Sequence, residues 1–407
     1  MIWRRTEGAP AVDDDVRLSR KRDEPDEPRV DGDRSVWRIR SLAAARQVLR
    51  ARSVTTQAGF TAEAIPKGYF RHHPILVSDG PQHDEQRRKV ARFFAPAVVH
   101  ERYGADIRTT AEDLIDAAVA AGTCTLDEIA LRFTVDVTRR IVGIDHSSLR
   151  GLCRRLDSFF NQPPLDVTRA DFGRSRAQWA RAGINALVPL LRFYLADVRP
   201  AVRRRRRHPG ATVVDHLIAE GYRTPDILVE CLTYGTAGMV TTREFITMAC
   251  WHLLRDDALR ERYLVAGEAE RTAILEEILR LEPVVGHLYR RMQQDFELTH
   301  GESTFTLRAG DLVDVCVRQT NTDAEAVGAH PRCLRPGREL PRGVAAAGLS
   351  FSDGAHKCPG QTLAMAETDI FLTRLLRANP RPAAEPTLTR DQLIEGYALR
   401  GMVLSFG

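Results

Sequence analysis

The chain has 407 residues, a net charge of +5, 43% hydrophobic and 28% charged residues. That is enough apolar content for a large core, and too small a charge imbalance, without basic stretches interleaved with aromatics, for a nucleic-acid binder. Seven cysteines at 124, 153, 231, 250, 316, 333 and 358 form no CxxC pair and no metal-ligand spacing, and their odd number fits a reducing cytoplasmic location. The opening MIWRRTEGAP lacks an apolar core, so neither a secretion signal nor a membrane anchor is expected.

No Gly/Ser-rich or Pro-rich linker divides the chain after its first few dozen residues. A single domain over 1–407 is expected, with residues 1–34 extended or partly disordered because 12–33 are dense in Asp, Arg, Glu and Pro. Residues 35–40, SVWRIR, alternate as a strand does, and a helix is expected from Leu42 to Leu49. Residues 55–80 read as irregular. From Pro81 the chain reads as helical to about 290, with breaks near Gly122, Gly143, Pro163-Pro164, Pro209-Gly210 and Pro225. In GPQHDEQRRKVARFFAP, His83 and Arg87 are spaced i, i+4 and project from one helical face. The run Arg203 to Arg207 reads as a solvated helix end before a turn.

The apolar stretch 225–254 is long, but Glu230, Arg243, Glu244 and two glycines inside it argue for a buried central helix and against a membrane span. In ILEEILRLEP, Glu277 and Arg280 are three apart on one face and can pair. Short strands such as 296–300 and 311–317 follow. Helix-rich in the middle and strand-poor at the ends, the pattern is α-dominated α+β.

The segment Phe351 to Gly360, FSDGAHKCPG, carries the chemistry. A cysteine thiolate that binds a haem iron needs a backbone able to lie against a flat ring and protection from protons. Gly354 and Gly360 permit tight turns, and Pro359 suits the first position of a helix starting just after Cys358, whose amide dipoles favour a thiolate. Leu363, Ala366, Ile370 and Leu375 give that helix an apolar stripe.

Phe351, Gly354, His356, Cys358 and Gly360 resemble the haem-binding loop of the cytochrome P-450 superfamily of haem-thiolate monooxygenases, of the soluble bacterial type. The family usually has glycine where Ser352 stands. Glu277 and Arg280 are similar to the family's ExxR pair, with Arg338 matching its third arginine, although Leu334 replaces the usual phenylalanine there. The resemblance implies a haem b cofactor with Cys358 as the iron ligand. It also implies propionate contacts from His83, Arg87, Arg290 (with Arg291 as its rival) and His356, with Phe351, Gly238 and Gly360 beside the ring. AGMVTT, Ala237 to Thr242, resembles the oxygen-binding segment, making Thr241 the distal threonine and Thr242 its neighbour. The family commonly has an acid where Val240 stands, so proton delivery must run through Thr241, Thr242, water or substrate.

A substrate pocket is expected from Phe60, Ile65, Tyr69 and Phe70, from Val284, Val285 and His287, and from Met239 and Val240. With no flavin or iron-sulfur segment in the sequence, electrons are expected from a ferredoxin and ferredoxin reductase docking at Lys357, Arg88, Lys89 and Arg92. The expected reaction is oxygen insertion into a small natural-product intermediate. The alternatives are coupling, cyclisation or desaturation without oxygen insertion, and, in another class, a haem protein that binds a ligand without turnover. A cysteine-nucleophile hydrolase is a distant third.

Overall fold

The computed structural model describes residues 15–19, 27–33, 35–59, 73–169, 171–391 and 394–407. Its helices start where local chemistry supplies partners for the free amide groups. The Ser41 hydroxyl accepts from the Ala44 N–H ahead of Leu42–Arg50, and reciprocal capping boxes, Ser175 with Gln178 and Thr212 with Asp215, open Arg176–Phe193 and Val213–Ala219. Pro81, Pro200 and Pro225 stand in the first two positions of Gly80–Ala91, Arg199–Arg207 and Thr224–Tyr234, where no amide donor is needed. Pro225 therefore begins a helix.

One long helical run crosses the core. Thr224–Tyr234 continues into a π-helical segment, Gly235–Val240, and then into Thr241–Arg255. Ile246, Met248, Ala249 and Cys250 are fully buried in it. The run packs on Leu126–Val142 and on Gln361–Arg377, the helix that follows the cysteine loop. Phe133 and Phe371, 4.9 Å apart between ring centroids, join those two partners. A π-bulge widens one turn of a helix, and such bulges recur at functional positions.

A five-stranded mixed sheet covers a second apolar core. Its strand order is Val30–Asp33, Val36–Ile39, Leu312–Cys316, His287–Met292 and Thr55–Gln57. Only the pairing of Val36–Ile39 with Leu312–Cys316 is parallel. Part of the segment expected to be extended or partly disordered before residue 35 is thus a strand, held by its hairpin partner. The helical stretch expected to reach about 290 stops at Leu281, because Pro283 disfavours a helical Glu282 and bars continuation. The C-terminal end carries four strands, Arg381–Ala384, Thr387–Asp391, Gly396–Arg400 and Val403–Ser405, where few strands were expected. The first two are exposed on both faces, so they lack the alternation that marks a strand in sequence. No helix among the described residues is long and apolar enough to cross a membrane.

Candidate active site

The cysteine loop is closed by its own backbone: the Cys358 N–H donates to the Phe351 carbonyl at 2.8 Å. Asp353 anchors it, accepting from the Gly354 N–H at 2.7 Å and from Arg46 and Arg50 at 3.0 Å each. Burial pushes the Asp353 carboxyl up, but the amide and the two guanidinium groups together hold it below the usual range. Gly354 has φ +68, and a Cβ there would run into the Leu49 carbonyl, so this glycine is required twice over. Gly360 has φ −87, so no left-handed turn is needed there. A Cβ on it would have the Cys358 sulfur as its neighbour, at 3.9 Å. The helix begins at Gln361 with Gly360 as its cap, two residues later than the position of Pro359 suggests. Phe351 is half-buried against the core.

Burial raises the Cys358 thiol, while the Gly360 and Gln361 amides and the cations of Arg87 and Lys357 act in the opposite sense. The sulfur therefore sits at a helix start with two N–H donors and two cations arranged to favour its charged form.

Four residues from distant parts of the chain converge beside this loop. His83 is buried on Gly80–Ala91, and its ring lies 4.4 Å from that of His356. Arg87, one turn on, donates to the Lys357 carbonyl. Arg290, 2% exposed, donates to the Tyr289 carbonyl at 2.8 Å. Arg291 lies on the opposite face of the strand and donates to the Gly310 carbonyl at 3.2 Å, so the period of two places only Arg290 in the cluster. Asp79 links the set. It contacts His356 Nε2 at 3.0 Å, accepts from the Gln57 N–H at 3.0 Å, and lies close enough to Arg290 to interact electrostatically.

The cluster is rich in donors and poor in anions. Burial pushes the Arg290 guanidinium down to about 10. Burial and the neighbouring His356 push His83 down to about 4, and its Nε2 is buried without a hydrogen-bond partner. A buried ring nitrogen without a partner, beside a buried guanidinium and a second imidazole, matches a carboxylate-bearing ligand. Haem propionates fit that donor set. Sequence reading missed Asp79, because an aspartate ahead of Gly80-Pro81 looks like an ordinary helix cap. Its side chain makes no cap bond.

On the central helix the Thr241 hydroxyl donates to the Ala237 carbonyl at 2.6 Å and Thr242 to the Gly238 carbonyl at 2.7 Å. Both are i−4 side-chain bonds to carbonyls of the π segment. Ala237 is exposed and Thr241 half-buried, one above the other on the same face. Thr242, Met239 and Val240 are buried, and the Thr134 hydroxyl donates to the Met239 carbonyl at 2.9 Å from the helix packed behind. Met239 and Val240 thus belong to the helical core and do not share the open face expected for pocket residues. Val285 is half-buried between the two cores. His287 contacts Asp314 at 2.8 Å and stacks on Tyr289. Phe60, Ile65, Tyr69 and Phe70 lie outside the described residues.

Glu277 and Arg280 form a buried two-pronged ion pair at 2.7 and 2.8 Å, and Arg338 reaches the same carboxylate at 3.3 Å. Arg280 also donates to the carbonyls of Asn321 and Pro331, each at 2.8 Å. Asn321 in turn accepts from the Leu349 N–H at 2.7 Å. The triad thus ties the helix Glu268–Leu281 to the chain entering the cysteine loop. Among the cations expected to meet a redox partner, Lys357, Arg88 and Arg92 are exposed. Lys89 is already paired with Glu85 at 2.8 Å and Glu220 at 2.6 Å.

The chain is similar to known proteins in sequence and in fold. The family model described as cytochrome P450 matches residues 271–379. Pentalenic acid synthase of Streptomyces avermitilis is 29% identical, over 89% of this chain and 87% of that protein. Mycinamicin VIII C21 methyl hydroxylase of Micromonospora griseorubida is 24% identical, over 78% and 76%. The crystal structure of CalO2 superposes with a TM-score of 0.76 at 21% identity, over 93% of each chain. The hydroxylase HmtN superposes at 0.75 and 22%, over 95% of this chain and 94% of that one. Over residues 271–379 the chain matches the cytochrome P450 family, and over most of its length it is similar to bacterial enzymes named as hydroxylases and monooxygenases.

Proposed function

We propose that this protein is a haem-thiolate monooxygenase that inserts one oxygen atom of O2 into a small natural-product intermediate, using haem b and electrons from a cytoplasmic ferredoxin and its reductase. The unpartnered Nε2 of His83, set among Arg87, Arg290 and His356 beside the amide-lined sulfur of Cys358, carries the reading. Cys358 would hold the iron, and the four basic residues would hold the propionates. A thiolate-ligated haem supplies O–O cleavage and hydrogen abstraction when it is bound.

The residues of this chain then perform three tasks. The Gly360 and Gln361 amides favour the charged form of the sulfur against the cost of its burial. The π segment exposes Ala237 and opens the helix face on which Thr241 stands. The Thr241 hydroxyl, parked on the Ala237 carbonyl, can turn to hold a proton at its Oγ1, while Thr242 stays buried and serves the bulge. Relatives named for hydroxylating or oxidising natural products, including a 20-oxo-5-O-mycaminosyltylactone 23-monooxygenase of Streptomyces fradiae, support the substrate class. Val240, apolar where an acid is common and 1% exposed, favours a second reading, in which coupling, cyclisation or desaturation proceeds without oxygen insertion.

The test is turnover of the haem-loaded enzyme with ferredoxin, reductase and a panel of terpenoid and macrolide intermediates under labelled dioxygen. Substrate-dependent consumption of reducing equivalents with label in the product is expected. No turnover with any candidate, despite a thiolate-type carbon monoxide spectrum, would favour a ligand-binding protein.

A further inference from the structure

The outer helix Arg176–Phe193 and the segment after it carry a feature the active site does not use. Five of the eight large apolar side chains exposed among the described residues lie here: Ile184, Leu187, Val188, Leu191 and Leu195, with Leu187 66% exposed and Ile184 62%. The stripe continues backwards through exposed Ala180 and Ala177. The positions 177, 180, 184, 187 and 191 alternate by three and four, a 3.5-residue repeat that keeps one seam facing another helix. Ala182, Pro189 and Phe193 are buried on the side that packs on Leu149–Asp157 and Ser158–Phe160. The seam is therefore a second apolar face, exposing on the order of 500 Å², a size at which the largest patch on a monomer often marks an interaction site.

Along this stretch of chain the exposed charges are one-signed. Between Phe172 and Val214 the sole acid is Asp197, which is buried and paired with Arg155 at 2.6 Å. Arg176, Arg181 and Arg192 flank the seam, and Arg203, Arg204, Arg206 and Arg207 are exposed on the continuation Arg199–Arg207. A second copy of this chain laid on the seam, parallel or antiparallel, sets arginine against arginine. A lipid surface takes helices with a broad apolar face and interfacial aromatics, whereas this stripe is narrow and aliphatic. We propose that the Arg176–Phe193 helix docks an acidic amphipathic helix of a partner protein, its apolar residues at 3–4 spacing seated on Ile184, Leu187 and Leu191 and its carboxylates paired with Arg181 and Arg192. This surface is distinct from the one carrying Lys357, so docking there leaves electron delivery free.

The experiment uses full-length holoenzyme and two fluorescent synthetic helices with the same leucine seam, one flanked by glutamates and one by lysines, read by anisotropy. The glutamate helix should bind at least tenfold more tightly than the lysine helix. Leu187→Glu with Leu191→Glu should weaken it tenfold or more, and Arg181→Glu with Arg192→Glu should reverse the preference, with the haem spectrum and thermal unfolding unchanged in both. Equal affinity for the two helices, or no binding to either, overturns the proposal. So does a wild-type dimer in sedimentation that Leu187→Glu with Leu191→Glu dissolves, or binding to phosphatidylglycerol vesicles but not to the acidic helix.

Discussion

Ser352 stands where the resemblance leads one to expect glycine, and its backbone shows the consequence: φ is +60. A non-glycine residue in the left-handed region costs about 1–2 kcal/mol. Its hydroxyl oxygen is also buried without a hydrogen-bond partner, which costs about a further 1–3 kcal/mol. Glycine would remove both terms and lose about 0.5–1 kcal/mol through greater freedom of the unfolded chain. Taken at the low end of each range, Ser352→Gly should stabilise the protein by about 1.5 kcal/mol. For a chain of this length that is a rise in Tm of about 2 °C, from roughly 2.1 cal/mol/K per residue. Ser352→Ala separates the two causes, because it deletes the hydroxyl and keeps the strained φ, and it should recover about half of the gain. Urea unfolding of the haem-loaded protein, followed by Soret absorbance and far-ultraviolet dichroism, reads both variants against wild type. A Ser352→Gly protein no more stable than wild type, or less stable than Ser352→Ala, would refute the backbone argument. Destabilisation by both would show that the hydroxyl has a partner.

Three further outcomes are expected. Cys358→Ser should lose the red-shifted absorption of the ferrous carbon monoxide adduct, since an alcohol cannot replace thiolate donation; retention of that band removes the ligand assignment. Arg290→Ala and His83→Ala should each weaken haem retention by about 1–3 kcal/mol, measured as haem transfer to apomyoglobin, while Arg291→Ala leaves the transfer rate near wild type. Burial raises Glu230 to about 7, above its unfolded value, so the folded state binds the extra proton and stability falls as pH rises from about 4.5 to 7, by about 3 kcal/mol in all. Glu230→Gln should flatten that part of the stability profile, and an unchanged pH dependence would show that the carboxyl is ionised in the fold.

The cysteine loop was legible in the sequence because its chemistry demands particular residue types at fixed spacing, and short-range spacing survives folding unchanged. The Glu277–Arg280 pair was legible for the same reason. What the sequence concealed depends on long-range placement or on subtle backbone geometry. Asp79 joins Gln57, His356 and Arg290 through contacts that cross most of the chain, and nothing local distinguishes it from a helix cap. The π segment Gly235–Val240 differs from an α-helix by less than one residue per turn, so six small or apolar residues show no change of period. Arg290 and Arg291 are adjacent and chemically equal, and only strand pairing decides which one faces inward. The placement of Met239 and Val240 in the core follows likewise from which face of the bulge meets Leu126–Val142. That placement bears on Val240 directly.

Val240 is buried against the core and is not on the face shared by Ala237 and Thr241. An acid introduced there would not sit beside the substrate; it would act through the helix, as a neutral carboxyl behind the bulge. Val240→Glu therefore places an unpaired carboxyl in an apolar site, and two outcomes separate the readings of the reaction. Burial raises its pKa and keeps it protonated, so in an oxygen-inserting enzyme the group becomes a proton source one residue from Thr241, and the fraction of electrons recovered in product should rise with the product unchanged. In an enzyme that couples or cyclises without inserting oxygen, the same proton source should divert turnover toward a hydroxylated product. Thr241→Ala supplies the control. Removing the hydroxyl that now rests on the Ala237 carbonyl should increase hydrogen peroxide release relative to product in wild type and should cancel the effect of Val240→Glu, because the new acid has no relay. A Val240→Glu enzyme whose coupling improves equally with and without the Thr241 hydroxyl would show that protons bypass Thr241, and the distal role would pass to water or to the substrate.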